Sequence, residues 1–232
     1  MNVVHSSVRR RDAVNLNNLI LVLLTCSACF TPEDRFDDFI AAKQRLASDA
    51  GTDAGEQPGN TQPLKADQVT GSYLYAVSTP VNPAQPTVYL AEVEASQQGD
   101  GLEVRIRQRP LAVVDRTTPV GDFSEWTTSL VDPSGAYETP PLTTIVPAAA
   151  NSFGLPLTTT VAFKGAFKNP ATAELPDTKV DFFCGTATGM VQGLNLSLEG
   201  STFAAARIPD VANTDTYPDV VINCNKDPAA PL

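Results

Sequence analysis

The chain reads as mainly β: an antiparallel β-barrel or β-sandwich preceded by one short N-terminal helix. Three observations predict this. From Val69 onward apolar residues recur at every second position, the period of a strand with one buried face. The 19 prolines and 14 glycines are spread along the chain, with Thr and Val abundant, the composition of many short strands joined by turns. Gly99-Asp100-Gly101 separates two such runs and reads as a hairpin turn.

Each strand is carried by its own alternation. Tyr73, Tyr75 and Val77 alternate with Leu74, Ala76 and Ser78. The hairpin joins residues 87–96 to residues 102–109, where Leu102, Val104 and Ile106 alternate with Glu103, Arg105 and Arg107. Val161, Phe163 and Phe167 alternate with Ala162, Lys164 and Lys168, and Leu194, Leu196 and Leu198 with Asn195, Ser197 and Glu199. Cys184 follows Val180 and Phe182 at a spacing of two, and Cys224 follows Val220 and Ile222 in the same way. Both cysteines are therefore expected on inward strand positions. The total is roughly eight to nine strands, with no long helix after Ala47.

The N-terminus follows a different plan. Arg9-Arg10-Arg11 precede the apolar run Leu19-Ile20-Leu21-Val22-Leu23-Leu24, which closes on Thr25-Cys26-Ser27-Ala28-Cys29. Positive charge, a short apolar core and then small residues make a secretory signal peptide. The run is shorter than the roughly 20 apolar residues a membrane span needs. Its end resembles the lipobox of bacterial lipoproteins, in which the cysteine after the cut is lipidated and becomes the new N-terminus. Ser27-Ala28 fits the processing site, so Cys29 is the expected lipidated residue. Cys26, preceded by Thr25, is the alternative, and it stands where the family usually has Leu. Ordinary secretion without a lipid is the other reading. The resemblance implies residues 1–28 as signal peptide, a membrane anchor of acyl chains such as palmitate, and, with Phe30 rather than Asp after the cysteine, the outer membrane of the cell envelope.

Residues 29–47 are expected to hold the lipidated cysteine and a short helix. Thr31 suits its cap, Pro32 its first turn, and Glu33 and Asp34 the positive end of its dipole. Residues 48–68, with a tandem Asp-Ala-Gly and then Gln57-Pro58-Gly59-Asn60, read as a flexible linker. The β domain spans residues 69–232.

Composition narrows the chemistry. The formal net charge is −10. Cleavage before Cys29 removes three arginines and one aspartate and makes it more negative still. Such a chain repels phosphate backbones, so no nucleic-acid partner is expected. Cleavage also removes His5, the only histidine. Without histidine, Ser-His-Asp and Cys-His devices and histidine-bound zinc fall away. Cys184 and Cys224 remain as an even pair in an oxidising compartment and are read as a disulfide. Gly185-Thr186-Ala187-Thr188-Gly189 is read as a tight turn or bulge rather than a phosphate cradle.

Carboxylates are what is left. Asp122 and Glu125 flank the path to the sole tryptophan, Trp126, and Asp177 and Asp181 lie before a strand. An acidic pair beside an aromatic is what sugar hydrolysis needs; ordinary surface acids and a core Trp are the reading preferred. Residues 210–219 cluster oxygen ligands, as in Asp210, Asn213, Asp215 and Asp219, and are read as a turn-rich loop rather than a calcium site. No cofactor, metal or catalytic residue is assigned. Gly71-Ser72-Tyr73, opening the first strand after a helix, resembles the Gly-x-Trp start of lipocalins, with Tyr in place of Trp, and implies a carrier of a small apolar ligand. The expected function is a non-catalytic envelope lipoprotein that binds or supports another envelope protein. A lipocalin-like carrier and a carboxylate-dependent hydrolase of envelope glycans are the alternatives.

Overall fold

The computed structural model describes residues 63–168, 170, 175 and 177–232. A one-turn helix, α1 (Ala66–Val69), leads into ten strands: β1 (Gly71–Ser78), β2 (Thr87–Gln98), β3 (Gly101–Pro110), β4 (Thr127–Val131), β5 (Ala136–Glu138), β6 (Leu142–Val146), β7 (Leu157–Phe167), β8 (Phe182–Gln192), β9 (Leu196–Ser197) and β10 (Ser201–Arg207). The signal peptide, Cys26, Cys29, the expected helix of residues 31–47 and most of the linker lie outside the described residues.

Every strand pairing is antiparallel. β5 and β6 are two pieces of one stave, both paired to β7 and separated by Pro140-Pro141, which cannot donate to a ladder. β9 pairs with the far end of β8, just before β10 takes over. β10 then returns to β1, with Tyr73 opposite Arg207 and Tyr75 opposite Ala205. The result is a closed up-and-down barrel of eight staves, which settles the barrel-or-sandwich alternative in favour of the barrel. Closure leaves no long strand edge for another chain to pair with. The thinnest seam lies between β4 and β5, joined through the single residue pair Val131 and Tyr137.

The predicted hairpin is present. Gln98 faces Gly101 across Gly99 and Asp100, and Gly99 takes a φ of 59°. The glycines of residues 185–189 correct the expected turn, since they lie inside β8. Gly165 and Gly185 face each other across β7 and β8, and a Cβ on Gly185 would strike the Lys164 carbonyl and the Gly165 Cα. Glycine is there to let two backbones approach.

Period-two alternation fills the barrel. Tyr73, Tyr75, Val93, Leu102, Val104, Val161, Phe163, Phe167, Phe183 and Phe203 all belong to one buried cluster. The rings interlock: Tyr75 stacks on Phe203 at 5.1 Å between centroids, and Phe167 tilts onto Phe183 at 4.5 Å. Offset and edge contacts of this kind add stability beyond area burial.

After β10 the chain forms no further strand. Residues 208–232 run as a strap over the outside of the barrel. Ile208, Tyr217 and Val220 cover the outward side chains Leu74, Ala76, Val88 and Leu90, and Val221 and Cys224 cover Phe182, Cys184 and Ala204. Two expectations are corrected here. Cys224 lies in a turn rather than in a strand, and Cys184 faces outward, beneath the strap. The strand expected at residues 194–198 shrinks to the two residues of β9, because Gly193 and Asn195 both take positive φ and turn the chain there. Packing against the barrel reaches back beyond residue 69. Leu64 is 4% exposed and belongs to the core cluster, and Gln68 is buried.

Candidate functional site

The expected disulfide is present: Cys184 and Cys224 are bonded, with Cα atoms 5.3 Å apart. It pins the strap to β8.

The candidate carboxylates are not brought together. Asp122 and Glu125 lie in the β3–β4 connection, at one end of the barrel. Asp177 and Asp181 precede β8, at the other end. Asp177 pairs with Lys65 at 3.0 Å. All four are exposed. Trp126 is half-buried on the outside of the barrel, a correction to its expected place in the core. Its ring is covered by Arg105 and Arg107, at 5.1 and 4.6 Å, and Phe123 by Arg107 and Arg109, at 4.5 and 5.8 Å. Arg107 also pairs with Glu92 at 2.5 Å, and Arg105 pairs with Glu94. The arginines of β3 thus use the aromatic faces that a sugar platform would need, and they hold residues 121–126 against the strand.

Residues 210–219 use their oxygens locally. Asp210 Oδ1 accepts from the Ala212 amide at 2.9 Å, and Asn213 Oδ1 from the Asp215 amide at 3.1 Å. These are turn-forming bonds within a few residues. Among the described residues no group of three or more metal-ligating side chains converges.

Sequence reasoning missed Arg207. Its guanidinium lies over the Tyr73 ring at 4.7 Å. Nε donates to the Val180 carbonyl at 2.6 Å, Nη1 to the Thr70 carbonyl at 3.0 Å, and Nη2 to the Gln68 carbonyl at 2.6 Å and the Tyr73 hydroxyl at 2.5 Å. The Tyr73 hydroxyl in turn donates to the Val69 carbonyl at 2.7 Å. One side chain therefore satisfies carbonyls in and around α1 and ties helix, first strand and last strand together. Gly71 leaves the space this needs, since a Cβ there would meet the Arg207 guanidinium. Burial pushes the Tyr73 hydroxyl well above its usual ionisation range, and Arg207 only partly offsets that.

Two concavities stand out among the described residues. An open groove of about 300 Å³ runs between the strap and the barrel, lined by Asp181, Phe182, Arg207, Asp219, Val221 and Lys226. Lys226 Nζ lies 4.7 Å over the Phe182 ring. The second is a recess in the barrel wall at the thin β4–β5 seam. Tyr75, Ile106, Tyr137, Leu142 and Phe163 line it, with Gln108, Ser124, Thr127 and Thr139. Its enclosed room is about 20 Å³, the space of one water. Among the described residues the barrel interior holds the packed side chains of the core cluster.

Comparison with protein-family models, with curated proteins and with solved structures returned no match for this chain.

Proposed function

We propose that this chain is a lipoprotein of the cell envelope, anchored through acyl chains on Cys29. Its β-barrel acts without catalysis, by binding or supporting another envelope component with its outer surface. The observation that carries the reading is the filled barrel. A carrier of a sizeable apolar ligand needs a cavity of several hundred Å³, and here that volume is taken by Tyr73, Tyr75, Phe163, Phe183 and Phe203. The hydrolase reading loses support as well, because its two acidic pairs sit at opposite ends of the barrel. The outward positions of β2 and β3 carry Glu92, Glu94, Arg105 and Arg107, a band unsuited to hydrocarbon. That favours a barrel held at a membrane by a lipid rather than one set within it.

Metabolic labelling with an alkyne fatty acid tests the anchor. Label is expected on the wild type and on Cys26→Ser, and lost in Cys29→Ser. Label retained in Cys29→Ser overturns the assignment. Purification from detergent-solubilised envelopes, with mass spectrometry of the bound material, tests the binding role: a stoichiometric protein partner is expected, and a bound small lipid in its place would favour the carrier.

A further inference from the structure

Three connections at one end of the barrel carry no charged residue. They are residues 79–86 between β1 and β2, 147–156 between β6 and β7, and 193–195 between β8 and β9. They stand side by side. Asn82 Nδ2 donates to Ser152 Oγ at 3.2 Å, which joins the first loop to the second. Gln192 faces Thr158 across β8 and β7, which sets residues 193–195 beside the start of β7. Each loop presents apolar side chains to solvent: Val81 is 44% exposed, Phe153 and Leu155 43%, and Leu194 44%. Exposed apolar groups gathered in one place mark an interaction surface.

The loops hold these side chains in place. Asn151 is buried, its Nδ2 donates to the Pro147 and Leu155 carbonyls, and its Oδ1 accepts from the Phe153 amide. Ser78 Oγ donates to the Pro83 carbonyl, and Asn82 Nδ2 also donates to Gln85 Oε1. Pro80, Pro83, Pro86, Pro147 and Pro156 remove N–H donors, which an environment poor in water would leave unsatisfied. The opposite end is different: its connections carry Asp100, Asp132, Lys168, Asp177, Lys179 and Asp181.

We infer that the uncharged loops dock on the lipid surface, with Val81, Phe153, Leu155 and Leu194 entering among the headgroups and the upper acyl chains. The inference rests on the lipid anchor proposed above. Separate aliphatic and Phe tips, without the Tyr, Trp or Arg that anchor protein interfaces, suit a fluid that closes around them. Asp115, Asp122 and Glu125 of the β3–β4 connection and Glu199 stand on the same end, so contact is limited to the loop tips. The chain outside the described residues has the reach for this orientation. Residues 30–62 separate Cys29 from Pro63, and a coil of that length spans about 30 Å. The 11 residues of β7 span a similar length of wall, at about 3.3 Å each. A tether fixed in the bilayer therefore reaches α1 at the charged end while the apolar end faces the lipid, and it holds those loops at high effective concentration there.

The test places the full chain, processed in its host, in phosphatidylcholine vesicles whose acyl chains carry bromine just below the headgroups, a quencher of indole fluorescence. Flotation with the vesicles reads the anchor, and quenching reads the docking. The wild type, with Trp126 alone, supplies the background. The added indole of Phe153→Trp is expected to be quenched, with Leu155→Trp as a second reporter on the same loop, and that of Lys168→Trp at the charged end is expected to be spared. Adding Val81→Ser and Leu194→Ser to Phe153→Trp is expected to shift the docked-to-free ratio about tenfold toward free, the scale of two partly exposed aliphatic side chains withheld from lipid. Floating protein whose indoles at positions 153 and 155 are quenched no more than the one at position 168 overturns the docking and leaves the anchor standing; the loops then belong to a protein partner or a second copy. Loss of flotation overturns the anchor and, with it, the docking. Quenching at position 153 that is unchanged by the two serines overturns the role of the loop tips.

Discussion

Arg207 shows how much of this fold hangs on single side chains. Its planar fork reaches four backbone carbonyls and the Tyr73 hydroxyl at once. Lysine keeps the charge but has neither the fork nor the flat face that lies on Tyr73. Arg207→Lys is expected to cost roughly 2–3 kcal/mol, the loss of two or more hydrogen bonds to a charged group, with α1 loosened first. Denaturant unfolding measures the total, and amide exchange at Val180, whose N–H donates to the Gln68 carbonyl, reads the helix attachment. An unchanged midpoint would mean that Arg207 is a surface residue in effect. No local pattern in the sequence marks it, because its Tyr73 partner lies 134 positions away. The one visible trace is Gly71-Ser72-Tyr73, whose glycine and aromatic both serve Arg207. Tyr137 is equally hidden: it sits in a three-residue strand flanked by turns and Pro140-Pro141, too short for alternation to reveal which way it faces.

Among the elements, those with long alternation are legible in the sequence and those without are not. β1, β3 and β7 follow their predicted inward sets, because one face of each meets a continuous core. The strap misleads: Val220, Ile222 and Cys224 are spaced as on a strand, but residues 220–224 are all half-buried, with no alternation between faces, and do not pair as a strand. The predicted cysteine bond survives that error, because it required only two thiols in reach. Its worth is now specific: it closes a 40-residue separation and holds the strap over Leu74, Val88 and Leu90. Reduction, or Cys224→Ser, is expected to lower stability by about 4 kcal/mol in the chain-entropy account. Amides of residues 208–232 should lose exchange protection while β1 to β8 keep theirs. Simultaneous loss everywhere would make the strap part of the cooperative core. At the other terminus, Leu64 belongs to the core and the Lys65 amide donates to Gln68 Oε1 at 2.9 Å. A chain beginning at Asp67 is therefore expected to be less stable than one beginning at Pro63, by roughly 2 kcal/mol for the buried leucine. Equal melting temperatures would support residue 69 as the boundary.

At the scale of the whole molecule, the sequence states the inside more clearly than the outside. Period-two alternation and a chain long enough to bury a core dictate a β structure with an apolar interior, but nothing in a single strand says whether the sheet closes on itself. Closure is decided by β10 meeting β1, which depends on register and twist summed over all staves. One consequence of a closed aromatic interior is a defined response to alkali. Burial raises the hydroxyls of Tyr73, Tyr75, Tyr89 and Tyr137 above their usual ionisation range. In the unfolded chain these groups lose their protons near pH 10. A group whose folded-state pKa is raised keeps its full contribution below the unfolded value and loses it as pH climbs beyond. Stability is therefore expected to be flat in this respect up to about pH 10 and to fall steeply above it, as the unfolded state releases protons that the native state holds. Phenolate absorbance should then appear together with the loss of β circular dichroism, in one transition rather than as a gradual titration. Tyr75→Phe, which removes one such group from the centre of the barrel, should move that transition to higher pH. Phenolate signal from all of these tyrosines with the β spectrum intact would show the interior open to hydroxide, and the filled barrel on which the proposed function rests would have to be given up.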